Sequence, residues 1–304
     1  MRQSIAPSPW YSFMLLLVLT LVCTFLSQFL FVISYWLLNG GLQQGLSGIK
    51  DLLQTDSKTF LYGSLLTGSI GTFLLPSLWL QKLEEPHVQY FKVQKKQIGL
   101  YALVLFFFLL VSNPFMELIG LWNQQLSLPE AFQDLESWMY EKEQAMALVI
   151  EKMVMVGDIK FLLLNILVMA AVPAIVEEFY FRGSIQTIFN SLFKNPHLSI
   201  WFTAIVFSAI HLQFYGFLPR MFLGVIFGYS LYWSGNIWLA VFGHFVNNFS
   251  VTLIAFYYFK NGKSFSELQQ SAPYSFWIYG MSAILMIGLG YYFYTIRQKK
   301  LTYE

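Results

Sequence analysis

The chain has 304 residues, of which 57% are hydrophobic, 19% aromatic and only 11% charged. A soluble domain carries about 25% charged residues, so the composition excludes a fully water-exposed surface. The net charge of +2, with no basic block interleaved with aromatics, points to no nucleic-acid partner, and the single cysteine, Cys23, excludes an intramolecular disulfide or a CxxC metal site.

A helix that crosses the hydrocarbon core of a bilayer needs about 20 apolar residues. In chain order, candidate spans cover 10–38, 60–80, 98–121, 158–176, 198–214, 216–234, 236–259 and 274–296. The first is expected to be a retained span rather than a cleaved signal, because it is far longer than the apolar region of a signal peptide and no small-residue cleavage site is evident. Segment 183–193 is apolar but short, and reads as a separate helix that continues the fourth span past Pro173. Lys82, Lys92, Lys95 and Lys96 place loop 81–97 on the cytoplasmic side, and Arg297, Lys299 and Lys300 place the C-terminus there too. Both fit eight crossings, with 183–193 not crossing alone. The fold class expected is all-α, a polytopic bundle of about eight membrane-spanning helices, in a multi-pass protein of a bacterial inner membrane. Three regions follow: N-terminal spans with a polar insert (1–157), a core rich in buried polar groups (158–260), and a last span with its basic tail (261–304).

The insert, 122–157, reads as an amphipathic helix opening at Pro129. Phe132, Leu135 and Met139 recur at helical spacing, and Glu130, Asp134, Glu136, Glu141 and Glu143 take other faces. Such a helix is expected to lie at the membrane interface, and its acidic excess suits the non-cytoplasmic side.

An ionisable side chain in the middle of a span costs about 2.5–3.5 kcal/mol on insertion scales, so it normally faces a cavity or a partner. This chain concentrates such groups between 177 and 248. Glu178 and Arg182 are four apart with the acid first, an arrangement suited to a helical ion pair. Glu177 is rotated about 100° from Glu178 and is left to point elsewhere, as a general base must. Phe207 and His211 close the fifth apolar run. His244 and Asn248 share a helix face one turn apart. Each group alone is equally well read as helix packing. Together they supply more: a glutamate and a histidine can deprotonate water, and a histidine and an asparagine can donate to the oxyanion of a tetrahedral intermediate. One glutamate with two histidines (Glu177, His211 and His244) also matches the ligand set of a catalytic zinc with an open position, so a divalent metal such as zinc, or none, is compatible with the set.

The order EExxxR, FxxxH, HxxxN resembles the CPBP family of membrane proteases, also called the CAAX protease and bacteriocin-processing family. The residues are Glu177, Glu178 and Arg182, then Phe207 and His211, then His244 and Asn248, flanked by Pro173, Gly183 and the run Ser234–Trp238. The likeness covers roughly 160–255. It implies an endopeptidase within the membrane, acting on membrane-anchored peptide or protein substrates, in CAAX-like processing or in bacteriocin maturation or immunity. It further implies that Glu177 and His211 activate water, that His244 and Asn248 stabilise the oxyanion or help hold a metal, and that Glu178 and Arg182, with Phe207, brace the site. The sequence carries no HExxH zinc motif.

Two rival readings stand beside this one. A non-proteolytic scaffold or immunity protein would need the polar cluster only for packing. A secondary transporter would show matched, inverted halves, whereas the ionisable residues here lie in one half. Gly45-Leu46-Ser47-Gly48 looks like the GxSG of rhomboid serine proteases, but it sits in a polar loop beside Lys50 and Asp51.

Overall fold

The computed structural model describes residues 7–39, 57–269 and 273–302; the Gly45–Gly48 segment lies outside them. Among the described residues the chain is helical, and the β-type pairing is one isolated bridge, Val93 with Asn236. The helices are α1 (Pro9–Leu38), α2 (Lys58–Glu84), α3 (Ile98–Gln124), α4 (Gln133–Val154), α5 (Ile159–Phe193), α6 (Pro196–Ala209), α7 (Phe217–Ser234), α8 (Ile237–Lys260), α9 (Phe265–Gln269) and α10 (Phe276–Thr302). Seven are long and apolar enough to cross a membrane, and α6, with 14 residues, is shorter.

Local sequence explains where they begin. Ser8 accepts a hydrogen bond from Tyr11 N ahead of Pro9, Asp158 accepts one from Lys160 N, and Asn195 and Asn236 do the same for α6 and α8. These side chains satisfy backbone donors that a helix start leaves without partners.

The helices alternate between two ends. At the basic end Ser12 of α1 donates to the Glu84 carboxylate of α2. Loop 85–97 docks there on the α7–α8 turn, with Gln94 N bonded to Gly235 O and Ile237 N to Lys92 O. At the other end α4 packs against the turn between α6 and α7. There Trp138 meets Phe214, Tyr140 meets Tyr215, and Tyr215 N donates to Glu143. The insert is thus a helix, as its amphipathic pattern indicates, and one face of it rests on that turn. Burial pushes the Glu143 carboxyl above the usual range, against the opposing pull of the Tyr215 N–H and Arg220.

Two expectations need correction. Segment 183–193 is not a separate helix: α5 runs unbroken for 35 residues, about 50 Å at 1.5 Å per residue. The disturbance expected at Pro173 falls in a π-helical turn at Ile166–Ala171, and a second π-helical turn follows at Phe179–Ile185. The fifth apolar run does not continue to 214 either. Helix α6 stops at Ala209, and Leu212 adopts a left-handed backbone with φ 52°, which a right-handed helix cannot accommodate. His211 therefore lies in a turn.

Apolar packing falls into two main clusters. One joins α1, α2, α5 and α6 through Leu16, Leu80, Tyr180, Phe181 and Phe207. The other joins α3, α7, α8 and α10 through Tyr101, Leu105, Phe227, Leu239 and Phe293. Near the insert end the ties are polar. Asn165, fully buried on α5, accepts from the Tyr62 hydroxyl of α2 and donates to Met153 O of α4 at 2.7 Å. Replacing Asn165 by Leu leaves both partners unsatisfied, and interhelical hydrogen bonds of this kind are worth about 1–2 kcal/mol. The expected outcome for Asn165→Leu is a lower unfolding midpoint in detergent, by several degrees; an unchanged midpoint would show that the tie carries no stability.

Candidate active site

The unusual feature of α5 begins with Pro173. Proline has no N–H to donate to the carbonyl four residues back, here that of Met169. Asn248 of α8 supplies a donor: its Nδ2 bonds Met169 O at 3.2 Å, while its Oδ1 accepts from Asn247. The proline on α5 and the asparagine on α8, read separately in the sequence, are parts of one inter-helix contact.

One turn further along α5 the two glutamates diverge. Glu178 points into the protein and is fully buried. Its Oε1 accepts from Arg182 Nη1 at 2.9 Å and from His244 Nδ1 at 2.8 Å. Arg182, also fully buried, sends Nη2 to Gly224 O at 3.0 Å. Its guanidinium lies 4.5 Å from the Phe207 ring centroid and 5.5 Å from that of Phe227. These rings come from the two apolar clusters, so the clusters meet across this one cation. Stacking on aromatic faces offsets part of the cost of burying the charge. The close approach needs Gly224: a Cβ there would sit 3.0 Å from Ala204 Cβ and 3.3 Å from Arg182 Nη2.

Glu177 is turned the other way and lines a cavity of about 600 Å³. The same cavity is lined by His211, Arg220, His244, Asn247 and Asn248. His244 Nε2 is 3.9 Å from Glu177 Oε2, and its ring stacks on Phe227 at 5.2 Å. A carboxylate only accepts, so His244 donates through Nδ1 to Glu178, which leaves Nε2 facing Glu177. His211 is fixed in the same sense: its Nδ1 donates to Phe207 O at 2.8 Å, which leaves Nε2 as the ring nitrogen available to the cavity. Arg220 follows Pro219 near the start of α7. It is held by Gln213 through Nη2–Oε1 at 2.6 Å and lines the cavity.

The structure therefore brings Glu177, His211, His244 and Asn248 to one cavity and places Glu178 and Arg182 behind it. Sequence reasoning misses two lining residues, Asn247 and Gln213; a second carboxamide beside Asn248 is the available signal for the first. His197, beside a proline in a short loop, is exposed and bonds Tyr229 OH at 2.7 Å, away from the cavity.

Residues 159–250 match the family model for type II CAAX prenyl endopeptidase Rce1-like proteins. Over these residues the chain is similar to the Rce1-like family. The match takes in all three motifs and nearly the stretch on which the sequence resemblance rests. No curated protein and no solved structure matches the chain. The matched segment comprises α5 to α8 up to Ser250, including the turn after α6 that holds His211, and so contains Glu177, His211, His244 and Asn248, all four of which line the cavity. The matched family is one of endopeptidases, and the match falls in a chain with seven described helices long and apolar enough to cross a membrane.

The donor set Glu177, His211 and His244 matches a metal shell by residue type, but not by placement. Among the described residues no three His, Cys, Asp or Glu side chains are gathered closely enough to hold a metal ion. Each imidazole has its Nδ1 engaged, His244 by Glu178 and His211 by Phe207 O, and keeps Nε2 toward the cavity.

The two sides of this arrangement predict opposite phenotypes. Removing one partner of a buried ion pair costs about 3–5 kcal/mol, because the other charge is left uncompensated. Arg182→Met is expected to destabilise the protein to that extent in detergent unfolding. Glu177→Gln, at a cavity wall, should cost less than about 1 kcal/mol. Equal losses would place both residues in the same structural role.

Proposed function

We propose that the chain is an intramembrane endopeptidase that hydrolyses a peptide bond with a water activated by Glu177 and His211. The observation that carries this reading is the divergence of the two adjacent glutamates: one is spent wholly on structure, and the other faces a cavity with two oriented imidazoles. A base fixed beside a reacting water contributes typically 10²–10⁴-fold.

In this scheme Glu177 accepts a proton from a water that also donates to His211 Nε2, and the oxygen attacks the carbonyl carbon of the scissile bond. Negative charge develops on the carbonyl oxygen. His244, held by Glu178, donates to it through Nε2 when protonated, and the second N–H of Asn248, the one not bonded to Met169, is the other donor. Protonated Glu177 then gives its proton to the leaving nitrogen as the C–N bond breaks, so the products are a carboxyl group and an amine. Arg182 touches no reacting atom; it pairs with Glu178, and Glu178 keeps His244 in register. The bond to be cut belongs to a membrane-anchored peptide, since the cavity lies among membrane-spanning helices. CAAX-like processing and bacteriocin maturation are the two settings in which such a substrate is expected.

Cleavage of a membrane-anchored model peptide in proteoliposomes tests the assignment. Wild type should cleave, and Glu177→Ala and His211→Ala should each lose at least about a hundredfold in rate while retaining the wild-type unfolding midpoint. Equal rates in all three proteins would sink the proposal. Metal involvement is separable: dialysis against a chelator should leave the rate unchanged, and loss restored by zinc would move Glu177, His211 and His244 to a metal-based scheme.

A further inference from the structure

A second polar cavity, of about 320 Å³, opens at the basic end, beside loop 85–97 and the end of α10. Lys92, Arg297, Arg182, Gln186, Thr187 and Asn190 line it. Among the described residues, no carboxylate lines it. Glu84 stands behind the wall, where its Oε2 accepts from Tyr90 and Ser12. Arg297 is half-buried and is steadied by the ring of Tyr232 at 4.0 Å, a contact that positions the guanidinium without neutralising it. Lys92 is exposed at the mouth.

The donors on offer are a guanidinium, an ammonium, a hydroxyl and an amide arranged around a small volume, which suits a tetrahedral oxyanion.

We infer that this cavity binds a phosphate group, with Arg297 and Lys92 as its charged ligands and Thr187 and Asn190 as neutral donors. The group can come from an anionic phospholipid headgroup or from free phosphate. The cavity's place at a helix-bundle end rich in lysine and arginine brings either within reach. The site is separate from the Glu177 cavity, although both have Arg182 or its direct partners in their walls.

The experiment is a thermal-shift titration of the full-length protein in neutral detergent. Three probes are compared: short-chain phosphatidylglycerol, short-chain phosphatidylcholine and inorganic phosphate. Wild type, Lys92→Gln, Arg297→Gln, Arg297→Lys and Lys260→Gln are titrated, the last being a charge change at the opposite end. Saturable stabilisation by phosphatidylglycerol that is weakened about fivefold in each of Lys92→Gln and Arg297→Gln, and retained in Arg297→Lys and Lys260→Gln, establishes a lipid-headgroup site. The same pattern with inorganic phosphate establishes a free-phosphate site. No saturable response to any probe, a response to phosphatidylcholine equal to that for phosphatidylglycerol, or an equal response in all five proteins would overturn the inference. Should Arg297→Gln fail to fold, Lys92→Gln against Lys260→Gln separates the same outcomes.

Discussion

Everything in the candidate site depends on one buried carboxylate oxygen. Glu178 Oε1 receives Arg182 from its own helix and His244 from α8, 66 residues away in sequence. A carboxylate stripped of water is expensive, and two charge-assisted hydrogen bonds on one atom are what make its burial tolerable here. The constraint works outward from that atom. It fixes which nitrogen of His244 carries the proton, sets the separation of α5 and α8, and holds Arg182 where it joins the two aromatic clusters through Phe207 and Phe227.

That arrangement also separates two roles that adjacent residues would otherwise share. Neighbours on an α-helix differ by about 100°, so when Glu178 is turned fully inward Glu177 must face elsewhere, and what it faces is the cavity. The π-helical turns around the pair serve the same arrangement. They let a helix containing Pro173 continue without a break, and they leave backbone carbonyls for side chains of neighbouring helices to use. Such turns are frequent at functional sites.

Much of this is legible in the sequence, and the limits have physical causes. The spacing of Glu178 and Arg182 specifies an ion pair because i and i+4 share a helix face wherever the helix sits. The divergence of Glu177 follows from the same geometry. The bond from His244 to Glu178 is not encoded in local spacing: it depends on how two distant helices pack, so Glu178 can be read as a brace for Arg182 but not as the group that orients His244. The link from Pro173 through Met169 to Asn248 is hidden in the same way, although an orphaned carbonyl behind a proline is a signal that a partner must exist. The continuity of α5 and the stop of α6 escape the sequence because hydropathy reports which residues avoid water and not where the backbone turns. Ile210 and Leu212 are as apolar as the helix before them, yet Leu212 has a left-handed backbone and His211 leaves the helix axis.

The central claim is that the water-activating and oxyanion-binding groups converge on one point in the Glu177 cavity. Its most direct test is an experimental structure with a phosphinate peptide bound, whose tetrahedral phosphorus imitates the intermediate of hydrolysis. One phosphinate oxygen is expected within hydrogen-bond distance of Glu177 and His211 Nε2, and the other within the same distance of His244 Nε2 and the Asn248 carboxamide. A phosphinate bound elsewhere, or bound in this cavity with His244 released from Glu178, would contradict the claim.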